Sequence, residues 1–148
     1  AHAKSSVVDH ILAQEVAMEL DKPSGYEGFT AKVNKVTSDF LIFLADAKLQ
    51  GKTVAGYGAA AKGNTFLNVA KVGASDLDFV VDLNVQKQGK LLPGSHIPIM
   101  SPEKIKELKP DYLVILPWNL ADEIIEQQQG IREWGGQFVT AVPELRIR

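Results

Sequence analysis

From Lys52 onward, short apolar runs alternate with helix-patterned stretches, and this alternation leaves the chain few folds to choose from. Residues 53–58 (Thr53, Val54, Ala55, Gly56, Tyr57, Gly58) read as a short buried strand running into a glycine turn, and residues 59–72 as a helix. Residues 77–82 read as a second strand, followed by a loop over 83–94 rich in Gln, Lys and Gly. A short third strand over 97–100 contains Pro98, which suits an edge position or a strand start. Ser101 as N-cap and Pro102 in the first turn then open a helix. Residues 111–116 form the most strand-like run of the chain. A helix follows over 119–134, with Gly130 near its end. Residues 137–142 read as the last parallel strand, and 145–148 can add another. Apolar, β-branched strands separated by helices form parallel sheets covered on both sides. With right-handed crossovers, the expected fold class is α/β: a Rossmann-like, doubly wound, mainly parallel sheet with helices on both faces.

Two helices precede this series. Val7, Val8, Ile11, Leu12, Val16 and Leu20 recur at helical spacing, with Ser5 or Ser6 as a cap. Lys22, Pro23, Ser24 and Gly25 break the pattern. A second helix over 26–49 carries an apolar stripe of Phe29, Val33, Val36, Phe40, Phe43, Leu44 and Ala47, and Gly51 is its expected stop. The expected organisation is a helical lead-in over 1–50 and one sheet domain over 51–148.

Composition removes several function classes. The 148 residues amount to one domain's worth of chain, and the net charge of −2 provides no global field for nucleic acid or an anionic membrane. No apolar run approaches the ~18–20 residues of a membrane span. With no cysteine there is no thiolate zinc site, iron–sulfur cluster or cysteine nucleophile. His2, His10 and His96 are too scattered to read as a metal cluster. The sequence begins at Ala1 rather than Met, as a processed chain or an excised piece would, and no basic-then-apolar export signal is visible.

In a doubly wound sheet, ligands bind beyond the carboxyl ends of the strands, where strand order reverses. Three loops are expected there. Gly56, Gly58 and Ala61 fit G-x-G-x-x-G/A; glycine permits the sharp turn, and small residues let a phosphate reach the free N–H groups of a helix start. In this loop Tyr57, Ala59 and Ala60 accompany the small residues, Lys62 adds a cation, and Asn64 and Thr65 add short polar side chains. The bland alternative is that the small residues only let the helix pack tightly on the sheet. The G-K-[ST] ending of a P-loop is missing. Asp82, at the end of the second strand, occupies the place where a dinucleotide fold holds a ribose hydroxyl; it reads equally as a turn-forming Asp. Lys87 faces either phosphate or solvent, and Lys90 reads as solvated. After the fourth strand, Pro117 stops the ladder, Trp118 offers a flat face for a base or sugar, and Asn119 either caps a helix or meets a ligand. His96 is open as acid, base, ligand contact or loop anchor. Trp134, Gly135 and Gly136 read as a helix stop and tight turn.

Taken together these loops resemble the C-terminal domain of S-adenosylmethionine-dependent sugar (NDP-hexose) C-methyltransferases. The resemblance is carried by residues 56–65 and 87–99, by Pro110, Asp111 and Tyr112, by Leu116, Pro117, Trp118 and Asn119, and by Trp134, Gly135 and Gly136. It runs in order from Gly51 to the C-terminus. Val69 departs from the family pattern, in which an aromatic follows the Asn at position 68.

The resemblance implies a fuller bacterial, cytoplasmic enzyme of deoxysugar biosynthesis. Such an enzyme has a cysteine-rich zinc module and a methyltransferase core ahead of this domain, and it methylates a carbon of a nucleotide-linked sugar. The residues before Lys52 are too few for a second Rossmann-like core, so no catalytic residue is carried over, and S-adenosylmethionine and zinc are expected outside this chain. The expected partners are a nucleotide-linked sugar, such as a thymidine-diphosphate sugar, and the methyltransferase core. The expected substrate-binding residues are Gly56, Tyr57, Gly58, Ala59, Ala60, Lys62, Asn64, Thr65, Asp82, Lys87, His96, Trp118 and Asn119. Two alternatives remain at this stage: a free-standing NAD-binding oxidoreductase, and a domain that binds no ligand and only packs against the core. An exposed apolar patch on the lead-in helices would favour the last.

Overall fold

A computed structural model describes residues 5–148, and His2 lies outside them. The chain divides into two compact units, residues 1–34 and 35–148.

In the first unit, α1 (Ser6–Ala17) starts behind Ser5, whose carbonyl accepts the N–H groups of Val8 and Asp9. The Ser5 side chain makes no capping bond, so only its backbone serves the expected role. None of the α1 residues is buried, and Val7, Val8, Ile11, Leu12 and Val16 are all exposed. A 3-10 turn (Pro23–Tyr26) follows, and a Cβ on Gly25 would stand 2.3 Å from the Glu19 carbonyl oxygen. The expected second helix begins later than residue 26, because this turn uses Tyr26; α2 runs Phe29–Leu49, and its residues from Lys35 onward belong to the second unit. Its buried stripe is Phe40, Phe43, Leu44 and Ala47, while Phe29 is exposed. At its end Gly51, at φ +67°, donates to Lys48, and Lys52 donates to Ala47, which is the glycine stop read from the sequence.

The second unit is built on a six-stranded sheet in the order β3-β2-β1-β4-β5-β6. Its strands are β1 (Val54–Tyr57), β2 (Phe79–Val81), β3 (Ile99–Met100), β4 (Tyr112–Ile115), β5 (Gln137–Thr140) and β6 (Arg146–Ile147). All neighbours are parallel except β5 and β6. The strand after Pro98 does lie on the edge.

The two-residue period of the strands divides the core into two layers. Val54, Val80, Val114 and Val139 face a layer completed by α2 and by Leu67 of α3 (Ala61–Val69). Ala55, Tyr57, Phe79, Val81, Leu113, Ile115 and Phe138 face the other. That second layer is closed by Ile105 of α4 (Glu103–Leu108), Ile124 of α5 (Ala121–Gln127) and Ile131 of a 3-10 helix (Gln129–Trp134). Helices therefore cover both faces of a doubly wound sheet.

Several boundaries differ from the sequence reading. α3 begins at Ala61 rather than residue 59, because the Ala59 N–H is drawn to Asp82 and the Ala60 N–H to the Gly58 carbonyl. α4 starts at Glu103, with Pro102 rather than Ser101 in the cap position. The expected helix over 119–134 is three pieces, Trp118–Leu120 and Gln129–Trp134 being 3-10 turns around α5. Gly135, at φ +81°, and Gly136 close the last piece by donating to Arg132 and Ile131.

At the amino ends of the strands, Asp111 joins β1 to β4. Its carboxylate accepts from the Thr53 N–H at 2.9 Å, the Thr53 hydroxyl at 3.0 Å and the Lys52 ammonium at 2.7 Å.

Candidate functional site

Strand order reverses at β1, which lies between β2 and β4. The loops after β1, β2 and β4 meet at the carboxyl ends there, where such folds bind ligands.

The glycines of the first loop are explained by close approach. A Cβ on Gly56 would meet Val80 at 2.8 Å, and one on Gly63 would meet the Leu116 side chain at 2.6 Å. Gly58 has φ +86°, donates to the Val81 carbonyl at 2.7 Å, and lies under Pro117. Pro117 of the β4 loop thus packs against Gly58 on the side where a Cβ would point. The backbone then enters α3, and the N–H groups of Ala61, Lys62 and Gly63 meet no acceptor among the described residues; Asn64 is the first to donate, to Ala60.

Lys62 leans toward the β4 loop. Its ammonium sits 4.9 Å from the centre of the Trp118 ring and donates to Asn119 Oδ1. Phe66 meets the Trp118 ring edge-on at 6.4 Å. Asn119 therefore binds Lys62, while the cap position of α5 is held by Leu120 without a side-chain bond.

Asp82 is 9% exposed, and both of its oxygens are engaged. Oδ2 accepts from the Ala59 N–H at 2.7 Å and from Lys87 at 3.1 Å; Oδ1 accepts from the Asn84 N–H at 2.8 Å. Lys87 also donates to the Ala59 carbonyl at 2.9 Å. Asp82 is thus the turn-forming residue that ties the β2 loop to the glycine loop. These three bonds orient the carboxylate toward its own loop and the glycine loop. Zinc has no thiolate here, and among the described residues no group of three His, Asp or Glu side chains could hold a metal.

The open space lies to the β2–β3 side. A groove of about 500 Å³ runs between Ala59, Ala60, Ala61 and Asn64 on one wall and Gln86, Lys87, Lys90, Leu91, Leu92, Pro93 and Ile99 on the other. Asn64 Oδ1 is buried and has no hydrogen-bond partner. A second open groove of about 440 Å³, which includes Asp39, Ile42, Tyr112 and Ile147, is lined at β4 by the strand's first residue, away from the three loops.

Of the residues expected from the sequence, Ala59, Ala60, Asn64 and Lys87 line the groove. Lys62, Trp118 and Asn119 form a separate cluster. Gly56, Gly58 and Asp82 shape the loops. Tyr57 is buried in the second core layer, where burial and then the charges of Asp82 and Glu123 push its phenol above its ordinary value. The Thr65 hydroxyl donates back to Ala61. His96 is exposed in a left-handed conformation at φ +55° and does not line the groove. Sequence reasoning missed Gln86, Leu91, Leu92 and Pro93 as lining residues and treated Lys90 as merely solvated. Their one local signal was the Pro93-Gly94 turn that folds this loop back: Gly94 has φ +83°, and Asn68 Nδ2 donates to the Pro93 carbonyl at 3.0 Å.

Residues 1–143 match the C-methyltransferase C-terminal domain family, and the chain belongs to it. It is 38% identical over 146 residues to the C-methyltransferase NovU of Streptomyces niveus. The match takes in 99% of this chain and 35% of that relative, so the chain spans about a third of the relative's length. Among the described residues, no helix is long and apolar enough to cross a membrane.

Proposed function

We propose that this chain binds the nucleotide-linked sugar of an S-adenosylmethionine-dependent sugar C-methyltransferase. The methyl donor, the zinc module and the catalytic groups then belong to other parts of a cytoplasmic bacterial enzyme of deoxysugar biosynthesis. In this reading residues 51–148 form the binding domain and residues 1–50 lead in from the core. The observation that carries it is the groove beside the start of α3, where Ala61, whose N–H has no acceptor among the described residues, lines one opening with Asn64 and Lys90. A helix start with free N–H groups favours an anion such as a diphosphate. Leu91, Leu92 and Pro93 offer an apolar wall to the nucleoside, and Asn64 places an amide side chain beside it. Asp82 and Lys87 hold the groove's shape. Calorimetry with a thymidine-diphosphate sugar is expected to give saturable heat, with amide shifts near Gly58; the absence of both signals at millimolar ligand refutes binding by this chain.

A second reading, a surface that only packs on the methyltransferase core, is favoured by α1, whose apolar residues are all exposed. On that reading Ile11→Glu disrupts association with a separately produced core, and a thymidine-diphosphate sugar gives no heat with the unsubstituted chain; retained association refutes it.

A further inference from the structure

We propose that Lys62, Trp118 and Asn119 form a latch that is closed in the ligand-free chain, and that an anion at the groove opens it by drawing Lys62 away. Lys62 is thus a positioning residue for the ligand. The inference rests on the nucleotide-sugar reading above and extends it to residues outside the groove.

Lys62 is the second residue of α3, at the helix end where the backbone dipole opposes a cation, and no acidic residue lies in that first turn. Lys52 and Lys87 rest on the carboxylates of Asp111 and Asp82, but Lys62 has only the neutral amide oxygen of Asn119 and the face of Trp118. The Asn119 amide oxygen offers the ammonium only a partial negative charge, whereas a phosphate oxygen carries a formal one, so an anion within reach adds a Coulomb attraction that Asn119 does not supply. Lys62 does not line the groove itself, but it follows Ala61 directly and stands two residues before Asn64, both of which do. Lysine's flexible stem allows the swing, while Phe66 packs against Trp118 and Pro117 is set over Gly58, so the ring stays as Lys62 leaves.

The chain has two tryptophans, so Trp134→Phe leaves Trp118 as the sole fluorophore. The indole N–H resonance of Trp118 in the unsubstituted chain gives the same readout should that variant fold poorly. The probes are thymidine diphosphate and inorganic pyrophosphate, with calorimetry in parallel. Both probes are expected to change the Trp118 signal saturably. Lys62→Met should abolish the change and weaken binding about tenfold, whereas Asn119→Ala should tighten it about twofold by removing the competing acceptor. If thymidine diphosphate gives heat with Trp118 unmoved, or if Asn119→Ala weakens binding, the latch is overturned and the nucleotide reading stands. If pyrophosphate moves Trp118 and thymidine diphosphate gives no heat, the nucleotide reading fails and the latch stands. Silence from both probes overturns both.

Discussion

Pro117 stands directly over Gly58: a Cβ on the glycine would come within 2.7 Å of the proline Cδ. The contact holds the β1 and β4 loops together, and the open groove lies on the β2–β3 side. Gly58→Ala therefore meets two penalties, a left-handed backbone at φ +86° and this overlap. We expect a loss of about 2–4 kcal/mol in denaturant unfolding. Pro117→Ala in the same chain should recover part of it. Strict additivity of the two substitutions would show that the contact is not what constrains Gly58.

Asp82→Ala leaves the N–H groups of Ala59 and Asn84 without their acceptor and Lys87 without its counter-charge. The expected cost is about 2–3 kcal/mol, since buried donors would lose their partners. Hydrogen exchange should quicken at Ala59 and Asn84 before the sheet interior responds. Unchanged protection at both amides would contradict the tie described here.

Asp111 links stability to pH. The Lys52 ammonium, followed by the Thr53 N–H, holds its carboxyl below the ordinary value. The folded value lies below the unfolded one, so this contribution is complete above the unfolded value of about 3.9 and is lost as pH falls through the folded value. Asp111→Asn should flatten the acid limb of the stability profile below about pH 4. The same slope in both proteins would remove Asp111 from the account of acid unfolding.

Lys90 lines the groove with an exposed side chain, so Lys90→Gln should leave the unfolding midpoint unchanged. Its affinity for thymidine diphosphate should fall roughly threefold, with a shallower dependence on salt, because one cation facing the anion is gone. Equal affinities at low and high salt in both proteins would mean that Lys90 does not face the phosphates.

The alternation of strands and helices was readable because it is local. Side chains two apart share a strand face, and side chains three or four apart share a helix face. Tyr112, Leu113, Val114 and Ile115 declare a strand by themselves, and Gly51 and Gly135 declare helix stops. The helix expected over 119–134 failed because Gln128 leaves the helical conformation between two otherwise suitable segments. The loop residues carry the family signature in their own order along the chain, but not the role of each residue.

Sequence by itself thus determined the doubly wound class, the position of the three loops and the membership that the comparisons bear out. Only the tertiary structure decided what each loop residue does. Ala59 meets Asp82 across 23 positions of chain, and Lys62 meets Asn119 across 57. Such partners depend on which strands lie side by side. Spacing along a strand or helix records which face a residue occupies, whereas a hydrogen bond between loops exists only once the sheet has brought their ends together.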